Sequence, residues 1–363
     1  MLTKFAVKNY RGFGDRIEWN LSNPNNYSFN KEAIKDGIVK NGIIYGPNGG
    51  GKSNLALAIF DIILHLTQKQ KSIHQLDTIV NVLHPKDLVS FEYSFRFGQN
   101  TIEYFYSKGT EGIEKESVVL DGTPLFSLKE KELSISSDFP MTAEAKHQLG
   151  TSGNKVSVLA YIWSVYPLAS AHPLMKLKSF IEGMLLFWNH ENRGFVGLEE
   201  NSSSLEEFII GNNLVEDFAS FLKHVSGQDF KFKEAKIGDK QLICDMGDGV
   251  PFSKIRSTGT SSLTLLYFWT KKMSKTSFVM IDEFDAFYHY ALSFEVCKRL
   301  FALPCQLFVT SHNTYLMSND LLRPDCNFII NHNLIKPMNE CTEKELRWGN
   351  NIEKMYRGDA FEL

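Results

Sequence analysis

Polar and apolar residues alternate through most of the first 130 positions, and the alternation comes in pairs. KFAVKNYRGFGDRIEWNLS, residues 4–22, switches faces on either side of a Gly-rich turn and predicts a β-hairpin running into the strand that follows. VSFEYSFRF and TIEYFYSKG, joined by Gly98-Gln99-Asn100, predict a second hairpin. KESVVLDGTPLFSL predicts a third, turning at Asp121-Gly122. Residues 125–155 read as polar and irregular, with LGTSGNK as the expected flexible point.

The period then changes. From about Val156 to Leu222, HPLMKLKSFIEGMLLFW and SLEEFIIGNNLVEDFASFLKHV carry apolar residues at three- and four-residue intervals, predicting helices with buried core faces. Asn201-Ser202-Ser203-Ser204 supplies a capping region for the second stripe. Neither sustains the heptads of a coiled coil. Short unbroken apolar runs, Gly42–Tyr45, Phe278–Ile281 and Gln306–Val309, predict strands buried on both faces.

At 363 residues the chain accommodates one large core with insertions, or two domains. Its 43% hydrophobic and 22% charged residues are those of an ordinary globular protein. A net charge of −3 creates no field favouring nucleic acid, so such a contact requires a local patch. FKFKEAKIGDK, where Glu234 and Asp239 interrupt the lysines, reads as solvated surface rather than such a patch. Cys244, Cys297, Cys305, Cys326 and Cys341 form no C-x-x-C pair and read as reduced thiols. The N-terminus lacks the apolar core of a signal peptide, and no stretch has the apolar length of a membrane span, so a cytoplasmic location is expected.

Chemistry enters at GPNGGGKS, residues 46–53, between a predicted strand and a predicted helix. The spacing fits the P-loop, G-x-x-x-x-G-K-[ST]. Gly46, Pro47, Asn48, Gly49, Gly50 and Gly51 would bring main-chain N–H groups close to a polyphosphate, and the helix start at Lys52, Ser53 and Asn54 adds a positive dipole end. Lys52 would reach the β- and γ-phosphates, and the Ser53 hydroxyl would ligate Mg²⁺. Downstream, the run Phe278–Ile281 stops at Asp282-Glu283, placing two carboxylates where a parallel strand meets its ligand edge. Asp282 would hold Mg²⁺, and Glu283 would polarise the attacking water as general base. His312, after the run Gln306–Val309, would donate to the γ-phosphate. RSTGTSSLTLLYFW starts a helix at Ser257 and Thr258, with Gly259 open to an anion; spacing alone fits an ordinary capped core helix equally well.

In their order along the chain these pieces resemble the ABC-type ATPase heads of the RecF, chromosome-maintenance (SMC) and OLD-like group, over residues 1–60 and 250–363. KNYRGFGD resembles the group's opening motif, which implies that Arg11 lies near the phosphates. STGTSS resembles a shortened signature motif without the common Ser-Gly-Gly-Gln form, carrying Ser257 and Gly259. IDEFDAFYH resembles Walker B followed by the D-loop, with Asp285 and His289; no glutamine is assigned to a Q-loop. The tail LRWGNNIEKMYRGDAFEL resembles the ends of stand-alone AAA-type ATPases of bacterial anti-phage and abortive-infection systems.

The resemblance implies an α/β fold: a P-loop NTPase head with a mixed sheet, an N-terminal antiparallel β subdomain and a β/helical insert. It implies an N-terminal lobe over 1–90, an insert over 91–245 and a C-terminal lobe over 246–363. It implies ATP and Mg²⁺ as ligands, and ATP clasped between two copies, one giving the P-loop, Asp282, Glu283 and His312, the other Ser257 and Gly259. The expected function is an ATPase that regulates a separately encoded effector, a nuclease or toxin. The segment after His312 is too short for the Toprim nuclease of OLD proteins, and DCNFIINHNLI lacks an Asp-x-Asp motif. The alternatives are a RecF-like DNA-clamping ATPase and a self-contained nuclease built from dispersed acids.

Overall fold

The computed structural model describes residues 1–67, 79–109, 112–151, 156–188, 195–197 and 204–363. Two seven-stranded sheets organise them. The first begins with β1 (Leu2–Lys8) and β2 (Ile17–Asn20), the expected hairpin. After a two-stranded ribbon, β3 (Ile34–Lys35) with β4 (Ile38–Val39), the chain enters β5 (Asn41–Tyr45), which belongs to the second sheet. Helix α1 (Lys52–Leu66) follows.

The first sheet resumes with β6 (Val89–Phe97), β7 (Asn100–Gly109), β8 (Gly112–Leu120), β9 (Thr123–Lys129) and β10 (Glu132–Ile135), in the order β10-β9-β8-β7-β6-β1-β2. Every neighbouring pair is antiparallel. The β8–β9 turn forms where expected: Asp121 and Gly122 take φ of 49° and 78°, the left-handed pair that a tight hairpin requires.

Residues 125–155 are more regular than their polarity suggests, holding the rest of β9, β10 and α2 (Ala143–Gly150) capped by Thr142. Residues 152–155 of the expected flexible point lie outside the described residues. Helices α3 (Val158–Val165) and α4 (Pro173–Glu182) come next. The stripe expected to continue as helix through Trp188 does not. Gly183 caps α4, and Met184–Trp188 forms β11, entirely buried and parallel to the strand Phe278–Asp282. Five consecutive apolar residues suit a two-sided buried strand, and a run that short carries no period to separate strand from helix.

Beyond β12 (Phe195–Val196), the second stripe divides into α5 (Leu205–Gly211) and α6 (Val215–Ser226). Asn213, at φ 55°, turns the chain between them. Ser204 caps α5 in a reciprocal box with Glu207; 201–203 of the expected capping region lie outside the described residues. A ribbon of β13 (Ile243–Cys244) and β14 (Val250–Pro251) leads through α7 (Phe252–Ile255) to α8 (Thr258–Met273), β15 (Phe278–Asp282), α9 (Tyr290–Phe301) and β16 (Gln306–Thr310). The hairpin β17 (Asn327–Asn331) and β18 (Leu334–Pro337) and the short α10 (Ile352–Arg357) complete it.

The second sheet runs β12-β11-β15-β16-β5-β17-β18, parallel from β11 through β17 with an antiparallel strand at each edge. Residues 91–245, expected as an insert, thus supply most of β6 and all of β7, β8, β9 and β10 to the first sheet, and β11 and β12 to the second. The fold class is the one expected: α/β, an antiparallel N-terminal sheet joined to a mixed sheet with helices. The longest described helix has 16 residues, and none is long and apolar enough to cross a membrane.

Helix α1 is buried on all sides because it lies between the sheets. Phe60 meets Phe278 of β15, with ring centroids 5.8 Å apart. On the other side the Tyr93 hydroxyl donates to Ala58 O at 3.1 Å, and Tyr106 and Lys108 bind Asp61 at 2.7 and 2.6 Å. A second join is buried Gln306, whose side chain pairs with both main-chain groups of Leu2 and reaches Val39 O. The helix that opens at the glycine-rich loop is thereby clamped from both sheets.

Candidate functional site

The loop Gly46–Gly51 leaves the carboxyl end of β5 and runs straight into α1. Glycine is obligatory at both ends of it. A Cβ on Gly46 would lie 2.3 Å from Ile330 O, and one on Gly51, which has φ 107°, would lie 2.6 Å from the Phe13 ring. Pro47, Asn48 and Gly49 form an exposed lip. Lys52 folds back beneath it: its Nζ donates to Gly46 O at 2.8 Å and Pro47 O at 3.1 Å. A nearly buried ammonium satisfied, among the described residues, only by loop carbonyls is placed to exchange them for an anion. Ser53 and Asn54 follow on the first turn of α1, both half-buried.

The opening motif packs on this loop. Besides Phe13 against Gly51, Gly12 lies against the Asn54 side chain. Arg11 between them adopts φ 46°; its main chain is fixed by Ile79 O and the Asn81 amide, and its guanidinium sits 5.9 Å from the Tyr10 ring centroid.

Strands β15 and β16 bring a second group to the same edge, since β16 lies between β15 and β5. Asp282 ends β15, 1% exposed. Its Oδ1 accepts from the Thr310 hydroxyl at 2.6 Å, while its Oδ2 is buried without a hydrogen-bond partner among the described residues. Glu283 follows at φ 51° with an exposed side chain, and its main-chain N–H donates to the same Thr310 oxygen at 2.9 Å. Thr310 therefore holds both acidic positions at once, a role that reading the sequence left unassigned. Its one signal was a polar residue ending an apolar strand. Ser311 donates to Asp285 at 2.7 Å, and His312 projects beyond them, exposed.

The charges of these groups act on one another. Burial lowers the Lys52 pKa, opposed by Asp282 and then Glu283. Burial also lowers that of His312, helped by Lys52 and opposed by Asp285, Glu283 and Asp282, which keeps the imidazole neutral at pH 7. Asp285 is raised by burial, opposed by the Ser311 hydrogen bond. Lys52, Asp282, Glu283, Asp285 and His312 thus share one electrostatic site although they come from three strand ends.

Ser257 and Gly259 lie at the start of α8. Ser257 is exposed and caps α8 by accepting from Thr260 N at 3.1 Å; the Thr260 hydroxyl donates to Gln228 at 3.0 Å. A Cβ on Gly259 would lie 3.3 Å from Phe287 O, and Ser262 donates to the Tyr288 hydroxyl at 3.1 Å. The start of α8 therefore packs on the Asp285–His289 turn of its own chain. His289 is the N-cap residue of α9, with no side-chain capping bond.

The donor set fits a nucleotide with a divalent cation. A Cβ at either end of the glycine cradle, Gly46 or Gly51, would collide, and among the described residues a buried carboxylate oxygen lacks a partner and the lysine ammonium is bound only by loop carbonyls.

No protein-family model matches the chain, and no curated protein matches it significantly. Among solved structures it is similar to the SMC head domain from Thermotoga maritima, at 15% identity and a TM-score of 0.43, covering 92% of this chain and 97% of that one. An Smc head bound to the C-terminal winged-helix domain of ScpA gives 12% identity and a TM-score of 0.48 over 92% and 96%. The recombination mediator protein RecF gives 14% and 0.41 over 93% and 97%. Likeness of this degree leaves the reading of the site to its own residues.

Proposed function

We propose that this chain binds and hydrolyses ATP, and that the nucleotide joins two copies into a regulator of a separately encoded effector, in bacterial anti-phage defence. The observation that carries the reading is the unpartnered Asp282 Oδ2, buried in the electrostatic site that also holds Lys52, Glu283 and His312. In this reading the N–H groups of Gly46–Ser53 and the Lys52 ammonium bind the phosphates. Ser53 and Asp282 hold Mg²⁺, which supplies neutralisation of the phosphate charge. Glu283 takes a proton from the attacking water, and neutral His312 donates a hydrogen bond to the terminal phosphate. Arg11, Asn54 and Asp285 complete the surroundings.

Pairing follows from placement. Ser257 is exposed and Gly259 half-buried at the start of α8, which leaves this helix start open to a second copy's nucleotide. ATP favours the pair because that state alone makes both sets of contacts. Support for the effector role is the resemblance of the C-terminal tail.

The test is sedimentation of Glu283→Gln with ATP and Mg²⁺. The variant should persist as a dimer while the parent returns to monomer as ATP is consumed; a variant monomeric throughout contradicts the pairing. For the defence role, phages are plated on cells carrying this chain with its neighbouring reading frame. Protection should vanish with Lys52→Ala, and equal plaque counts with and without the intact pair of genes contradict it.

A further inference from the structure

The turn between β17 and β18 lies far from every motif along the chain, yet it forms the floor of the glycine-rich loop. Ile330 O sits where a Gly46 Cβ would be, His332 O is 3.6 Å from the Cβ position of Gly51, and His332 N donates to Gly50 O at 3.0 Å. That last bond matters because of peptide geometry. The Gly50 carbonyl and the Gly51 N–H belong to one planar trans peptide and point in opposite directions. Fixing the carbonyl against the floor turns the Gly51 N–H toward the loop interior. Glycine flanks that peptide on both sides, so little else resists a flip that would put an oxygen into the phosphate cradle.

The other loop carbonyls are held differently. Gly46 O accepts from Lys52, which must leave it to meet a phosphate; Pro47 O accepts from Lys52 and from Gly50 N within the loop, and Gly51 O accepts from Leu55 N inside α1. Among the described residues, the Gly50 carbonyl is the loop carbonyl held by a distant strand turn. His332 has φ 51°, the positive φ that a two-residue hairpin turn between β17 and β18 calls for, and its side chain is exposed. That turn sets where the His332 N–H stands against the loop, so a residue that resists a positive φ would displace the N–H.

We propose that His332 is a positioning residue for nucleotide binding, acting through its main-chain N–H as a pin that keeps the Gly50–Gly51 peptide in its phosphate-binding orientation. This inference rests on the phosphate-binding reading of the loop.

It is tested with His332→Gly, His332→Ala and His332→Val, each titrated with a fluorescent ATP analogue and Mg²⁺, with urea midpoints measured alongside. Glycine takes the left-handed conformation freely and keeps the N–H, alanine resists it, and the β-branched valine resists it most. Affinity should be unchanged in His332→Gly, about threefold weaker in His332→Ala and about tenfold weaker in His332→Val, the range of one lost hydrogen bond. Should the valine variant fail to fold, the alanine–glycine comparison decides. Equal affinity across the series overturns the pin while leaving phosphate binding intact. Loss in His332→Gly overturns it too, by assigning the effect to the imidazole. If the parent does not bind the analogue, both readings fall together.

Discussion

Replacing Thr310 by valine keeps the shape of a fully buried side chain and removes one oxygen. That oxygen donates to Asp282 Oδ1 at 2.6 Å and accepts from Glu283 N at 2.9 Å. The first bond is made to a carboxylate and is worth about 1.5–3 kcal/mol; the second, once lost, leaves an N–H without its acceptor at about 1–3 kcal/mol. Because the two share one atom they do not simply add, and a net loss of about 2–4 kcal/mol is expected in urea unfolding. The functional effect is separable. With Oδ2 already unpaired, losing the Oδ1 bond leaves the Asp282 carboxylate free to rotate, and lost orienting partners weaken metal sites by about 10–100-fold. The assay is ATP turnover as a function of Mg²⁺ concentration. Thr310→Val should need about tenfold more Mg²⁺ or beyond for half-maximal rate. Thr310→Ser, which keeps the oxygen, should stay near the parent. A valine variant matching the parent in both Mg²⁺ requirement and stability would refute the argument that Thr310 sets the geometry of both acids.

Two further predictions concern the layer between the sheets. Asp61, 1% exposed, binds both Lys108 and Tyr106, so Lys108→Met strands a buried carboxylate. It should cost about 3–5 kcal/mol in urea unfolding, whereas the double change Asp61→Leu with Lys108→Met should recover much of the loss. His65 stacks on Tyr106 at 3.9 Å and shares a 2.7 Å hydrogen bond with the Tyr104 hydroxyl. Burial, reinforced by Lys108, holds its pKa well below 6.5. Below pH 6.5 the unfolded chain therefore takes up a proton that the folded one refuses. Stability should be complete above that pH and fall as pH drops toward the folded-state pKa, by up to about 1.4 kcal/mol per pH unit. Urea midpoints at pH 7.5 and 5.5 should converge in His65→Gln relative to the parent.

What was legible in the sequence follows from the range of the interactions involved. Hairpins announced themselves because period-two alternation and the Asp121-Gly122 turn are local. The glycine-rich loop between β5 and α1 and the Asp282-Glu283 strand end were legible because each is marked within a few adjacent positions by a short apolar run and an abrupt change of residue type. Met184–Trp188 was misread because its neighbour in the sheet lies far along the chain, and five apolar residues look alike in either structure. Thr310 and His332 escaped for the same reason. Their partners, Asp282 with Glu283 and Gly50, are brought to them by strand order, and the residues beside them in the chain do not identify the partner.

Equilibrium binding of radiolabelled ATP with Mg²⁺, parent beside Lys52→Ala, addresses the central claim most directly. Saturable binding by the parent, weakened about a hundredfold or more when the buried ammonium is removed, is the predicted result. A parent that shows no saturable binding, or a Lys52→Ala variant that binds as tightly as the parent, would contradict it.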